Sequence, residues 1–191
     1  MEVGYCDKPD MARDIAVRDS YAYVADANCG LRVISVAQPA DPVQVGHLSG
    51  HAYSVALSGD YAYVADYYAG LRVVSVLEPA RPIEVGHCST PDTPHGVAVS
   101  GHYAYVAADD SGLRVISVAD PSNPVEVGYY DTPGYAFGVA ASGNYVYVAD
   151  QAAGLQILQF YGGGVEESST PQSPCRKPAP TVMRSLPPGA V

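Results

Sequence analysis

Short runs in which small or β-branched apolar residues alternate with tyrosines and polar residues recur along this chain in a fixed order. The run YVAD starts at Tyr23 and Tyr63, returns as YVAA at Tyr105 and as YVAD at Tyr147, spacings of 40, 42 and 42 residues. A second run keeps step with it: GLRVISV from Gly30, GLRVVSV from Gly70, GLRVISV from Gly112 and GLQILQF from Gly154. Between units stand the proline pairs Pro39 and Pro42, Pro79 and Pro82, Pro121 and Pro124, each followed by a V-x-V-G or I-x-V-G run ending at Gly46, Gly86 and Gly128.

Each unit predicts four short strands. The first is the V-A run at Ile15, Val55, Val97 and Val139. In the second, Tyr21 and Tyr23 face one side of a strand while Ala22 and Val24 face the other, because strand side chains alternate with period 2. Asp and Gly then turn the chain into a β-branched third strand. The P-x-x-P turn follows, since proline presets φ and cannot serve a central strand. V-x-V-G is the fourth strand. No window shows helical periodicity, which excludes helix-pair solenoids. A unit of about 40 residues with four strands has the size of a propeller blade. The expectation is an all-β chain: a β-propeller of four short four-stranded blades with a 40–42-residue repeat over residues 1–161, then a tail, 162–191.

The ends of the array carry a further expectation. Glu2-Val3-Gly4-Tyr5 matches Glu126-Val127-Gly128-Tyr129, a fourth-strand sequence with no blade before it. The last unit breaks off after Phe160 without P-x-x-P or V-x-V-G. The first residues therefore supply the strand the last blade lacks, the usual way a propeller removes an open edge. Three arrangements satisfy this: a four-bladed ring, half of an eight-bladed ring built by a homodimer through exchanged end strands, or part of a longer propeller.

The combination YVAD…GLRVISV..P..PV.VG over residues 2 to 160 resembles the LVIVD-repeat family of bacterial β-propeller proteins. It departs at Ser35, Ser75 and Ser117, where family repeats often carry Asp. The resemblance implies a small-bladed propeller, often secreted or displayed at the cell surface. It implies no agreed activity and no catalytic residue.

Composition sharpens the exclusions. With 20 acidic against 10 basic residues the chain carries a formal charge of −10, the wrong sign for a general binder of nucleic acid or anionic membranes. No 18-residue apolar run predicts a membrane span, and MEVGYCDKPDMARD has no charged-then-apolar leader. Cys6, Cys29, Cys88 and Cys175 include no close pair, so neither a zinc site nor a disulfide framework is expected. Residues 162–191 are rich in Pro, Gly and Ser, too poor in apolar surface to offset ordering entropy, and read as a disordered tether.

What recurs between units reads as fold, and what differs reads as function. The tyrosine pairs are expected to pack between blades. Asp26, Asp66 and Asp150 are expected to cap their own turns; a calcium-binding carboxylate ring is broken by Ala108. His47 and His87 share an outer-strand position with Tyr5 and Tyr129, which suggests half-exposed packing. The variable positions are Arg13, Tyr53, His95 and Phe137, two residues before each first-strand Ile or Val, with Met11, His51, Thr93 and Tyr135 just upstream. Blade-entry loops meet at a propeller's channel mouth, so Arg13, Tyr53, His95, Phe137, His51 and Tyr135 form the candidate ligand site. No cofactor or metal is expected, and no nucleophile motif or phosphate loop appears. The functional expectation is a non-catalytic binding or scaffold module, extracellular or at the cell surface, for a protein or carbohydrate partner. The alternative is a hydrolase or lyase at the channel mouth, needing a pair such as His95 with Asp92 or Asp14.

Overall fold

A computed structural model describes residues 1–6, 11–160 and 184–185. It contains four antiparallel four-stranded sheets in simple up-and-down order. The first holds β1 (Ala12–Arg18), β2 (Tyr21–Asp26), β3 (Leu31–Ser35) and β4 (Val43–Leu48). The second holds β5 (Ala52–Ser58), β6 (Tyr61–Asp66), β7 (Gly70–Ser75) and β8 (Ile83–Cys88). The third holds β9 (Gly96–Ser100), β10 (Tyr103–Ala107), β11 (Leu113–Ser117) and β12 (Val125–Tyr130). The fourth holds β13 (Gly138–Ser142), β14 (Tyr145–Ala149), β15 (Leu155–Gln159) and β16 (Arg184–Ser185). These are the blades the repeat predicts.

The first strands β1, β5, β9 and β13 stand side by side along the inside of the array. Three apolar clusters hold successive blades together. Tyr23, Leu31 and Val33 of the first sheet pack on Val55, Val64 and Val74 of the second. Tyr63, Leu71 and Val73 repeat the contact against Val97, Val106 and Ile116. Tyr105, Leu113 and Val115 repeat it against Val146, Val148 and Leu158. The tyrosine pairs of the first three blades thus pack between blades, whereas Tyr145 of the fourth is exposed, and burial pushes the Tyr63 and Tyr105 hydroxyls above their ordinary pKa.

The V-x-V-G strands show why glycine recurs. A bulge between Val33 and Ile34 shifts β3 against β4, and the same irregularity recurs in the second and third sheets. Beyond it, any Cβ at Gly46 would overlap the Pro79 carbonyl oxygen, and at Gly86 it would lie 2.5 Å from that of Pro121. β4 and β8 therefore let the proline turn of the next blade approach their backbone, while Gly128 of β12 faces the Phe160 ring. The Gly that opens each third strand answers a different constraint. Gly30, Gly70, Gly112 and Gly154 take φ of 77°, 84°, 69° and 77°, a region other residues avoid.

The ends correct the expectation for the first residues. Glu2–Tyr5 does not form the fourth strand of the last sheet; Arg184–Ser185 pairs there, opposite Gln159 and Leu158. The N-terminal segment lies on the first sheet instead: Cys6 packs with Ala22, Val24 and Ile34, and a Cβ at Gly4 would overlap the Pro39 carbonyl oxygen. The rest of the proposed tail, with Cys175, lies outside the described residues. Cys6 and Cys29 are free thiols.

Of the three turn aspartates expected to cap their own turns, Asp66 does so, whereas Asp150 makes no cap hydrogen bond and Asp26 pairs with Arg32. Asp66 accepts from the N–H groups of Tyr68 (3.1 Å) and Ala69 (3.0 Å) in its own turn, and from His51 N (2.8 Å) in the loop leading into the second blade. Those donors, with Arg72 at 3.1 Å, hold its carboxyl below the usual carboxylate range against the opposing cost of burial. Arg72 also donates to Ser49 O (2.8 Å) and pairs with Glu84 (2.6 Å). Asp26 pairs with Arg32 in the same way. Where Ala108 replaces the aspartate, Arg114 turns to Asp131 (3.1 Å) and Glu126 (3.6 Å). Where Gln156 replaces the arginine, Asp150 accepts from Thr132 Oγ1 (2.6 Å) and Gly134 N (2.9 Å).

Replacing Asp66 by Ala leaves Arg72 short of a buried partner and three N–H groups unpaired. We expect a loss of about 3–5 kcal/mol in urea unfolding. Asp150→Ala, which breaks hydrogen bonds from neutral donors and no ion pair, should cost about 1–3 kcal/mol. Equal losses would contradict the ion-pair reading.

Candidate functional site

The four blade-entry residues come together. Arg13 and Tyr53 sit at bulges in β1 and β5, between Ala12 and Asp14 and between Ala52 and Ser54, where the unpaired residue is turned out of the ladder. His95 and Phe137 directly precede β9 and β13, their N–H groups bonded to Ala107 O (2.8 Å) and Ala149 O (2.9 Å). The Arg13 guanidinium lies 4.0 Å from the Tyr53 ring centroid. Tyr53 lies 5.6 Å from His95, and His95 stacks on Phe137 at 4.0 Å with 12° between the planes. One side chain from each blade thus builds a continuous ladder across the array, over an open cleft of about 250 Å³.

Below the ladder, hydrogen bonds tie the first strands. Ser54 Oγ donates to Asp14 Oδ2 (2.6 Å), and Val55 N donates to the same oxygen (3.0 Å). Val97 N donates to Ser54 Oγ (3.3 Å). Asp14 is thus engaged with Ser54 and Val55. The carboxylate nearest to His95 is that of Asp109, 3.8 Å from Nε2.

His51 joins the group by another route. Its ring meets Tyr68 edge-on at 4.5 Å and its Nδ1 lies 3.0 Å from Asn28 Oδ1. Tyr68 meets Tyr67 at 4.8 Å, and Tyr67 meets Tyr53 at 5.5 Å. Sequence reasoning does not single out Tyr67 and Tyr68. They stand where other units have Ala27-Asn28, Asp109-Asp110 and Gln151-Ala152, so their variability is the available signal. Tyr135 is exposed and lies outside the ladder. His47 Nε2 lies 2.7 Å from Cys29 O, and His87 pairs with Glu84 at 3.2 Å, both away from the mouth. No cluster of metal-ligating side chains occurs among the described residues.

Four sheets of one repeat, joined face to face around a shared inner edge, define a β-propeller-type repeat module. The LVIVD repeat model matches residues 9–48, 49–90, 94–132 and 133–159, and the chain belongs to that family. No match is found among curated proteins. Solved structures share the fold. The computationally designed Ika4 protein is 8% identical, covers 83% of this chain and 98% of its own, and has a TM-score of 0.68. The designed Ika8 protein is 8% identical, with 80% of this chain and 46% of its own covered and a TM-score of 0.61. A functionally unknown protein from Desulfotomaculum acetoxidans DSM 771 is 15% identical, with 81% and 53% covered and a TM-score of 0.68. This chain spans about half the length of the latter two.

Burial is the largest influence on His95 and pushes its pKa below the ordinary value. Asp109 and Asp92 oppose that shift, and Arg13 adds to it. The folded chain thus holds this imidazole neutral where the unfolded chain, near 6.5, takes up a proton. The His95 contribution is fully present above 6.5 and is lost as pH falls toward its lower folded value. The fall in melting temperature from about pH 7 to about pH 5.5 should therefore be smaller in His95→Gln than in the parent chain. Equal falls would contradict this assignment.

Proposed function

We propose that the chain is a non-catalytic binding module whose channel-mouth ladder takes a neutral carbohydrate chain. The observation that carries the reading is the unbroken stack Arg13–Tyr53–His95–Phe137 beside an open cleft. Pyranose C–H faces pack on aromatic rings, and the surrounding Asn28, His51 and Asp109 offer polar groups to hydroxyls. The shallow, open geometry suits an extended ligand rather than an enclosed small molecule. The extracellular or cell-surface setting comes with the family resemblance.

Exposed Tyr67, Tyr68 and Tyr135 at the same rim favour a protein partner as the second reading, because tyrosine combines an apolar ring with a polar tip. A hydrolase or lyase would build on His95 and Asp109, whose 3.8 Å separation is longer than a hydrogen bond.

Of the 16 Tyr only Tyr53 stands in the ladder, so binding is followed by titration calorimetry. Titration with neutral oligosaccharides should give a saturable change. Tyr53→Ala and Phe137→Ala should each weaken binding by about tenfold, the scale of one lost aromatic contact. Leu77→Ala, on an exposed turn, should leave it unchanged. Unaltered affinity in both ladder variants would overturn the proposal.

A further inference from the structure

Every blade has a front face and a back face, and the three internal junctions pair them in one way. The front face carries Tyr, Ala, Leu and Val, as at Tyr63, Ala65, Leu71 and Val73. The back face carries apolar positions such as Val55, Ala62, Val64 and Val74. At the end of the array the front face stands open, and at its start the β1 part of the back face does, while Ala22, Val24 and Ile34 of that face are already buried with Cys6 packed on them. Leu155 on the last blade's front face is 62% exposed, although the equivalent Leu71 and Leu113 are fully buried. Ile15 and Val17 on the first blade's back face are 58% and 62% exposed, although the equivalent Val55 is buried. Among the described residues these positions have no covering blade.

We infer that the last blade's front face docks on the first blade's back face of a second copy, so that two chains close an eight-bladed ring. The occupant is argued from the molecule. The two open faces repeat an interface already made three times inside it, with the same residue types at the same positions. Propellers close with roughly four to eight blades. One copy leaves Leu155, Ile15 and Val17 uncovered, three would make twelve blades, and two make eight. A head-to-tail contact between two copies closes by a two-fold axis and leaves no edge.

Two further features fit that junction. Glu2–Tyr5 already lies where the fourth strand of a preceding blade would run, since Gly4 meets the Pro39 carbonyl as Gly46 meets that of Pro79. In the last sheet β16 pairs only with Leu158 and Gln159. Continuing the 42-residue register sets Gly4, Tyr5 and Cys6 opposite Ile157, Gln156 and Leu155 of the docked copy. The ladder also continues. Phe137 is its last rung and Arg13 its first, so docking brings Arg13 of the partner subunit to Phe137 as Arg13 meets Tyr53 within the chain. The inference stands without the carbohydrate reading, because the mass experiment requires no ligand.

Light scattering on the full chain across a dilution series should give twice the chain mass at the upper end. Leu155→Asp and Ile15→Asp should each shift it to the monomer, while Leu77→Asp, equally exposed but on a proline turn, should leave the dimer intact. Mixing the Leu155→Asp and Ile15→Asp chains should restore a dimer. One chain keeps a good back face and the other a good front face, and only a head-to-tail contact can use that combination. A parent chain that stays monomeric, a ladder of higher multiples, or a mixture that stays monomeric would overturn the inference.

Discussion

The contact between one blade's Tyr-Ala-Leu-Val face and the next blade's Val-Ala-Val face governs this molecule. A sheet of four strands of about five residues is too small to be stable alone and must bury a face against another layer. Leu31, Leu71 and Leu113 are buried, and each lies in a cluster that joins its own repeat to the following one. Burying such a side chain is worth about 1.5–3 kcal/mol, and a single junction contains several. Stability therefore resides in the junctions, and an end blade owns half as much of it as an inner one.

The same packing sets the mouth. Stacking the sheets brings their first strands side by side, and bulges at Arg13 and Tyr53 turn those side chains out of the strand ladder. Buried polar groups fix the loops that deliver them. Asp66 and Arg72 hold Ser49 and His51 just ahead of Tyr53, and Asp150 holds Thr132 and Gly134 just ahead of Phe137. Asp66 is paired with Arg72 and Asp150 is met by hydrogen-bond donors, so their burial is tolerated. The blade-entry loops thus vary in sequence while buried Asp66, Arg72 and Asp150 anchor them.

Local rules read the strands well here because tertiary packing repeats them. YVAD and LRVIS satisfy strand propensity, alternation and burial together. The site is legible as a set of variable positions at one register, and the structure places Arg13, Tyr53, His95 and Phe137 in one stack. Tyr67 and Tyr68 escape a reading of the sequence because they follow the recurrent Asp and look like turn residues. The Asp66–Arg72 pair escapes it because Arg72 alternates with Leu71 and Val73 and reads as an exposed strand position, whereas the hairpin folds it over a buried carboxylate. Glu2–Tyr5 matches a fourth strand in pattern, but pattern does not specify a partner. Those residues take the place beside the first sheet, and Arg184–Ser185 takes the edge of the last.

The central claim is that blades are held by their neighbours, and hydrogen exchange on Leu71→Ala tests it most directly. The substitution removes a core side chain of the second sheet at a cost of about 2–5 kcal/mol. The account predicts that amide protection falls in β9–β11 of the third sheet as well as in β6 and β7, because Leu71 packs among Val97, Val106 and Ile116. Loss of protection confined to the second sheet would show that each blade is stable by itself, and would contradict the account.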